Sequence, residues 1–463
     1  MIVMLNSLED FTLASFAAVS RGGARTQLTE AACARIDARR AAFIRLIDTV
    51  PTPWIYNVTG KSDGTTLNAQ ERRALSRRYI AAGAVLFGDE LPPRIVRGAL
   101  FCRLANFIEG HAAVRADVAL AVATMLAAPL PSIPTLGHGA AGEMSLLSHL
   151  FGDLIERMPL EAKEALALIN GAPFATALLA DSLLSAGPLL LEIASAIARA
   201  IDTYPAPLDA YDPILASLWR NPHAADALAL IGRKPAPHAS QAPDASQPPD
   251  SPQLAPVPNA SPLTQAPVSF RAAPRLLARA LRTYSSLRLT AAHSLQAVTD
   301  NPVVVDGNGP LRVLSNGGFF DADAPPLFDE LAGVYADLAR LLEKLGTRLA
   351  EKHAALLPPP AQARLRGLVS ALAGYAEDAV STATRTPLPG SDGGGAPQND
   401  LISPVLQAWT KQVTAGEILS RSTAILRAVL ATLAGHVDTD PRATCTNLLD
   451  RMASATSVLA DPP

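Results

Sequence analysis

Aromatic side chains make up only 5% of this 463-residue chain, and cysteine occurs three times. Cys33, Cys102 and Cys445 are too widely spaced for a disulfide framework or a metal-ligand cluster, which points to a reducing compartment and no metal. Charge of one sign is not in excess. The formal net charge is −3 and the pI about 6.3, so no overall imbalance directs the chain to nucleic acid or to an anionic membrane surface. The N-terminus has Glu9 and Asp10 but no basic segment ahead of its apolar residues, so no signal peptide is expected and the expected location is cytoplasmic. A long uninterrupted apolar run is missing too. The most apolar stretch, Ala172 to Ile201, is broken by Asp181 and Glu192, which makes it a buried pair of bundle helices rather than a membrane span. The glycine-rich "GSDGGG" lacks both the preceding strand and the following Gly-Lys-Ser/Thr of a phosphate-binding loop.

What is abundant is alanine and leucine, within a 49% hydrophobic content, and both favour helices. By length alone two to three domains are possible. Helical spacing predicts helices over Thr12–Val19, Leu28–Ile47, Ala69–Phe87, Pro93–Glu109, Ala116–Ala127, Glu143–Arg157, Leu160–Ile169, Phe174–Ser185 and Leu189–Ile201. Composition then changes at Lys234, where a Pro/Ala/Ser-rich tract cannot offset its ordering entropy by burial and reads as a surface insertion. Helices resume at Arg275, with later ones over Leu327–Leu357, Ala361–Thr382 and Leu406–Leu433. The strand signal is Val303–Val305 and Leu311–Leu314 around Asp306-Gly307-Asn308-Gly309. The expected class is all-α with one small β-hairpin.

Several segments, in order, resemble the aromatic amino acid ammonia-lyase family of histidine, phenylalanine and tyrosine ammonia-lyases and aminomutases. They are "AVSRGGARTQLTEAACARIDARRAAF", "WIYNVTG", "IPTLGHGAAGEMSLLSHL", "LEAKEALALINGAPFATALL" and "AVTDNPVV". The resemblance implies an elongated helical bundle of the ammonia-lyase/fumarase-aspartase type, a homotetramer and a small-molecule substrate. It divides the chain into a substrate-pocket domain at 1–135, the first part of the central bundle with the reactive loop at 136–233, the insertion at 234–267 and the remaining bundle at 268–463.

In that family a cyclised Ala-Ser-Gly tripeptide becomes the electrophile methylideneimidazolone. Here the loop reads Gly139-Ala140-Ala141-Gly142. Ala141 stands in the serine column, and a methyl group has no hydroxyl to lose as water, so this cofactor is not expected. Tyr56 falls on the family's first catalytic tyrosine, or is a core tyrosine. Asn170 matches a substrate-contacting asparagine, or is a helix cap before Gly171. Gln265, Ser269 and Arg271 align with a loop whose arginine holds the substrate carboxylate, a role suited to a planar guanidinium, while a surface arginine is the plainer reading. That loop's catalytic tyrosine is replaced by Val268. Phe319 is kept in "SNGGFFDA", flanked by Gly318 and Phe320 where the family has polar residues; Ile80 replaces an expected histidine, and Gln398 and Asn399 fall on further substrate-binding positions.

The loop glycines, Gly137, Gly139 and Gly142, still permit tight turns, and the following helix aims its unsatisfied N–H groups at the pocket, an arrangement suited to an oxyanion. Glu143 is either compensation of that helix's dipole or a pocket carboxylate, and His138 is structural or new polar equipment. The expected function is acid/base elimination, conjugate addition, cyclisation or isomerisation on a carboxylate- or carbonyl-bearing substrate, in specialised biosynthesis and without methylideneimidazolone. The alternative is an inactive paralogue that binds a ligand or joins an active lyase.

Overall fold

The computed structural model describes residues 1–60, 64–68, 70–72, 86–232, 265–307, 309–388, 400–435 and 440–454. Most of the proline-rich tract, most of the expected 69–87 helix including Ile80, and Gln398 and Asn399 lie outside them. In the N-terminal third, β1 (Ile2–Leu5) is followed by α1 (Leu13–Ser20), β2 (Arg25–Leu28), α2 (Glu30–Ile47), β3 (Phe87–Glu90), α3 (Pro93–Ile108), α4 (Ala116–Met125) and β4 (Pro134–Leu136). The middle holds α5 (Met144–Arg157), α6 (Glu164–Ile169), α7 (Pro173–Thr203), α8 (Ile214–Trp219) and α9 (Ala224–Ile231). Then come α10 (Val268–Leu295), the hairpin β5 (Val303–Gly307) and β6 (Gly309–Leu314), α11 (Ala324–His353), α12 (Pro359–Thr382), α13 (Val405–Leu433) and α14 (Pro441–Ser454).

Local chemistry sets several of these starts. Thr12 and Thr29 accept hydrogen bonds from the amides of Ser15 and Ala32, each at 3.1 Å, and so cap α1 and α2. Pro93, Pro173 and Pro359 occupy first helical positions, where no N–H is needed.

The helical bundle agrees with the sequence, but three details do not. The hairpin pairs Val303 with Leu314 as expected, yet two more strand pairs exist: β1 with β2 in parallel and β3 with β4 antiparallel. A parallel pair joined through a helix leaves no turn signature to read. The apolar stretch is one helix, α7, rather than two. Pro188 interrupts its ladder at a cost of about 3 kcal/mol, and burial on both sides of it (Leu183, Leu184, Leu189 and Leu190 at 1% exposure or less) outweighs that cost. Finally, α10 begins at Val268, seven residues before the expected Arg275, because Phe270 is buried against Tyr204, with ring centroids 4.4 Å apart.

The bundle's centre is formed by α7, α11, α12 and α13, with α3 and α10 packed on α7. One stretch among the described residues, Glu164–Thr203, is long and apolar enough to cross a membrane; 83% of its most apolar window is buried inside this fold. Asp181 and Glu192, which break its sequence, are paired there. Asp181 accepts from Arg21 and from Arg94, and Glu192 faces Arg427 and Arg451. A small satellite core of Phe43, Ile47, Ile55, Val58, Leu166 and Val304 carries the segments around Tyr56 and the hairpin.

Candidate active site

The Trp54–Gly60 turn builds one wall of a cavity. The amides of Val58, Thr59 and Gly60 all donate to the Ile55 carbonyl, and the buried Thr59 hydroxyl accepts from the Ile55 amide at 2.7 Å. Gly60 is required there, because a Cβ would sit 2.0 Å from the Trp54 indole nitrogen. This turn places Tyr56 on a cavity of about 140 Å³, shared with Trp54, Leu166, Asn170, Asn301 and Ser315. Asn170, extended between α6 and α7, does two things at once. Its Oδ1 accepts from the Gly171 amide at 3.0 Å, and the side chain lines the cavity. Asn301 Oδ1 accepts from the Asn316 amide at 2.9 Å, which fixes the wall opposite.

No residue of the Gly137–Glu143 loop lines this cavity. Gly137 and Gly142 have φ of +94° and +62°, whereas Gly139 does not need left-handed backbone and has open space where a Cβ would go. No hydrogen bond among the described residues takes up the amides of Gly139, Ala140, Ala141 or Gly142. Phe319 presses on the loop from the far side: a Cβ on Gly142 would lie 2.8 Å from the Phe319 ring and 3.0 Å from its carbonyl oxygen. Gly142→Ala is therefore expected to destabilise the chain by about 1–3 kcal/mol, through strained backbone and a displaced Phe319. Thermal denaturation measures this, and an unchanged melting temperature would mean that the loop and the Phe319 segment are not in contact.

Glu143 is 4% exposed, and its carboxylate does not serve its own helix. Its two oxygens accept from the Phe174 and Ala175 amides, at 2.7 and 2.6 Å, and so satisfy the first turn of α7. Burial pushes this carboxyl up to about 8, against the pull of those amides and of Arg103. Arg103 is itself wholly buried in α3, donating to the Ala167 carbonyl at 3.0 Å, while its Nε and Nη2 have no partner among the described residues. Burial brings its guanidinium down to about 10, opposed by Asp300 and Glu143. Beneath the Asn301 wall, Lys163 Nζ meets Asp300 Oδ2 at 2.5 Å and also donates to the Ala112 carbonyl, with both charged side chains fully buried. His138 is half-buried; burial lowers its imidazole, and its Nε2 has no partner among the described residues.

Residues 11–157 and 153–386 match the family described as aromatic amino acid lyase. The chain belongs to that family. Histidine ammonia-lyase of Streptomyces avermitilis is 30% identical over 450 residues, covering 89% of this chain and 84% of the relative. The Deinococcus radiodurans histidine ammonia-lyase is 28% identical over 382 residues, 75% of this chain and 69% of the relative. Among solved structures, histidine ammonia-lyase from Trypanosoma cruzi superposes with a TM-score of 0.77 at 18% identity, covering 98% of this chain and 93% of that one. Tyrosine aminomutase from Streptomyces globisporus gives 0.76 at 16%, covering 98% and 97%.

Within this lyase fold the expected site residues divide into three groups. Tyr56 and Asn170 line one cavity, and Phe319 lies against Gly142 of the Gly139–Gly142 loop, neither of which lines it. Gln265 and Arg271 do not reach that cavity within one chain. Gln265 is exposed, and Arg271 sits in the first turn of α10, its Nε donating to the Ala266 carbonyl at 2.9 Å, so the expected loop there is helix. The third group, Gln398 and Asn399, lies outside the described residues. Glu143 lines no cavity with Tyr56 and hydrogen-bonds the first-turn amides of α7 rather than serving α5. Sequence reading missed Trp54, Asn301 and Ser315, and the buried charges Arg103, Lys163 and Asp300. Arg103, a lone charge inside "GALFCRLANFI", carried a signal, since an arginine on an otherwise apolar helix demands buried partners.

Proposed function

We propose that this chain is a lyase-family enzyme that works without methylideneimidazolone. The residues of its loop do not fit that group. Ala141 supplies no leaving hydroxyl, so dehydration to that group has no starting atom. The observation that carries the reading is the convergence of the Tyr56 ring with the amides of Asn170 and Asn301 and the Ser315 hydroxyl on one cavity, a polar set independent of the missing serine. The reaction is acid/base elimination, or its reverse, conjugate addition, and the same groups suit a cyclisation or isomerisation. As its phenolate, Tyr56 takes the proton from a carbon next to a carboxylate or carbonyl, the C–H electrons form the double bond, and the leaving group departs from the neighbouring carbon with its bonding pair; in the reverse addition the Tyr56 hydroxyl returns the proton to that carbon. The amides of the cavity wall hold the substrate oxygen, and the amides of residues 139–142, which have no partner among the described residues, suit developing negative charge on a ligand that reaches them. In a homotetramer, Arg271 of a neighbouring subunit would orient the carboxylate. A cytoplasmic place in specialised biosynthesis fits this chemistry.

The rival, a non-catalytic partner subunit, draws on Phe319 closing over the loop and on Val268, exposed on α10 where relatives carry the base. The test is turnover of a panel of α,β-unsaturated acids with amine, alcohol and internal nucleophiles. Tyr56→Phe is expected to reduce the rate about 10²–10⁴-fold, and equal turnover in that variant would remove Tyr56 from the reaction. No turnover of any panel member, with ligand still bound in the cavity, would favour the partner-subunit reading. Ala141→Ser is expected to form no cinnamate or urocanate, because Val268 still offers no base. Appreciable product, with a two-water mass deficit, would show that the other substitutions matter less than the serine.

A further inference from the structure

A second cavity, of about 280 Å³, lies within the bundle between α7, α11, α13 and the C-terminal α14, apart from the Tyr56 cavity. Its floor holds two side chains that are almost wholly buried yet incompletely bonded. Tyr335 is 2% exposed, and its hydroxyl has no hydrogen-bond partner among the described residues. Gln412 is 5% exposed and uses its Nε2 on the Ser182 hydroxyl at 3.1 Å, which leaves its Oε1 unpartnered. A buried hydroxyl and amide oxygen in a cavity wall are costly unless something in the cavity bonds to them.

Charges of both signs line the same space. Arg94, from the first turn of α3, is anchored through its Nε to Asp181 at 3.0 Å, and its two terminal nitrogens have no partner among the described residues. That is a guanidinium held in place with its carboxylate-binding end free. The Asp181 charge is already satisfied by Arg21 at 2.6 Å and by Arg94, so it does not compete for a cation in the cavity. The carboxylates that do come from the other side: Glu417 on α13, which makes only a 3.4 Å contact with Arg421, and Asp450 on α14, whose carboxylate has no partner among the described residues. Leu449 and Val413 supply an apolar portion of the wall.

We propose that this cavity binds a small apolar α-amino acid as its zwitterion. The ligand carboxylate takes the free end of Arg94 and the Tyr335 hydroxyl, its ammonium takes Asp450, Glu417 and the Gln412 carbonyl, and its side chain lies on Leu449. A single anion would meet the Asp450 and Glu417 carboxylates there and a single cation would meet Arg94, so only a dipolar ligand satisfies both. The site is on α7 two to three turns from the helix end that carries Asn170 and Glu143, and it belongs to no step of the proposed reaction.

The experiment is calorimetric titration of the full-length protein with L-leucine, alongside N-acetyl-L-leucine, which lacks the ammonium, and isoamylamine, which lacks the carboxylate. L-Leucine is expected to bind, and both analogues to bind at least about tenfold more weakly. Tyr335→Phe removes only a hydroxyl without a protein partner, so it leaves the fold intact; it and Asp450→Asn are each expected to weaken L-leucine about tenfold. Tyr56→Phe and Asn170→Ala are expected to leave the affinity unchanged, which separates this site from the catalytic cavity. The proposal is overturned if L-leucine does not bind, if either analogue binds as well, or if binding responds to Tyr56→Phe and not to Tyr335→Phe.

Discussion

Replacing Lys163 with methionine is expected to destabilise the chain by about 3–5 kcal/mol, enough to reduce soluble folded protein sharply. The size follows from burial. Lys163 and Asp300 are both fully buried and meet at 2.5 Å, and burial drives the lysine downward and the aspartate upward. Each charge survives because the other is present. Removing the ammonium strands the buried Asp300 carboxylate, with only the charge of Arg103 and the Asn301 amide still favouring its ionised form among the described residues. The companion variant Lys163→Met/Asp300→Leu should recover much of the loss, since a buried pair can be exchanged for apolar volume at little cost. Chemical denaturation of wild type, both single variants and the double variant closes the cycle. A double variant as unstable as the sum of the singles would mean that the two residues do not interact. Because the next residue, Asn301, lines the Tyr56 cavity, the single variant should also raise the KM of any substrate found.

The second large effect concerns Glu143. Glu143→Ala leaves the buried amides of Phe174 and Ala175 without acceptors, a loss of about 2–4 kcal/mol. Glu143→Gln retains one acceptor and should lose about 1–2 kcal/mol. The two differ further in pH dependence. The folded carboxyl titrates near 8 against an ordinary value of 4.5, so the folded chain holds a proton that the unfolded chain releases. Its contribution is complete below the unfolded value and is lost as pH rises through about 8. Wild-type stability should therefore fall relative to Glu143→Gln between roughly pH 4.5 and 8. Parallel stability curves for the two proteins across that range would place the carboxyl at an ordinary value and remove this account.

Tyr56 and Asn170 were legible because they sit in short motifs whose spacing survives in this chain, and the structure carries both to one cavity. Arg271 was legible as a residue type but not as a placement. Its segment aligns with a family loop, and Phe270 burying against Tyr204 makes it helix instead. Glu143 shows the same limit from the other side. Its position just ahead of a helix suggested that helix's dipole, while its side chain crosses to α7, a choice set by packing between segments thirty residues apart.

The sequence by itself determined the helical class, the family, the place of the hairpin and the absence of a leaving hydroxyl at residue 141. These are local facts, written in periodicity, composition and single side chains. The tertiary structure alone decided which polar groups share a cavity and which helix Glu143 serves. It also decided that α7 runs unbroken through Pro188, and that Arg103, Lys163 and Asp300 lie buried together under the site. Those outcomes depend on contacts between residues far apart in the chain, where burial outweighs the local preferences that a sequence displays.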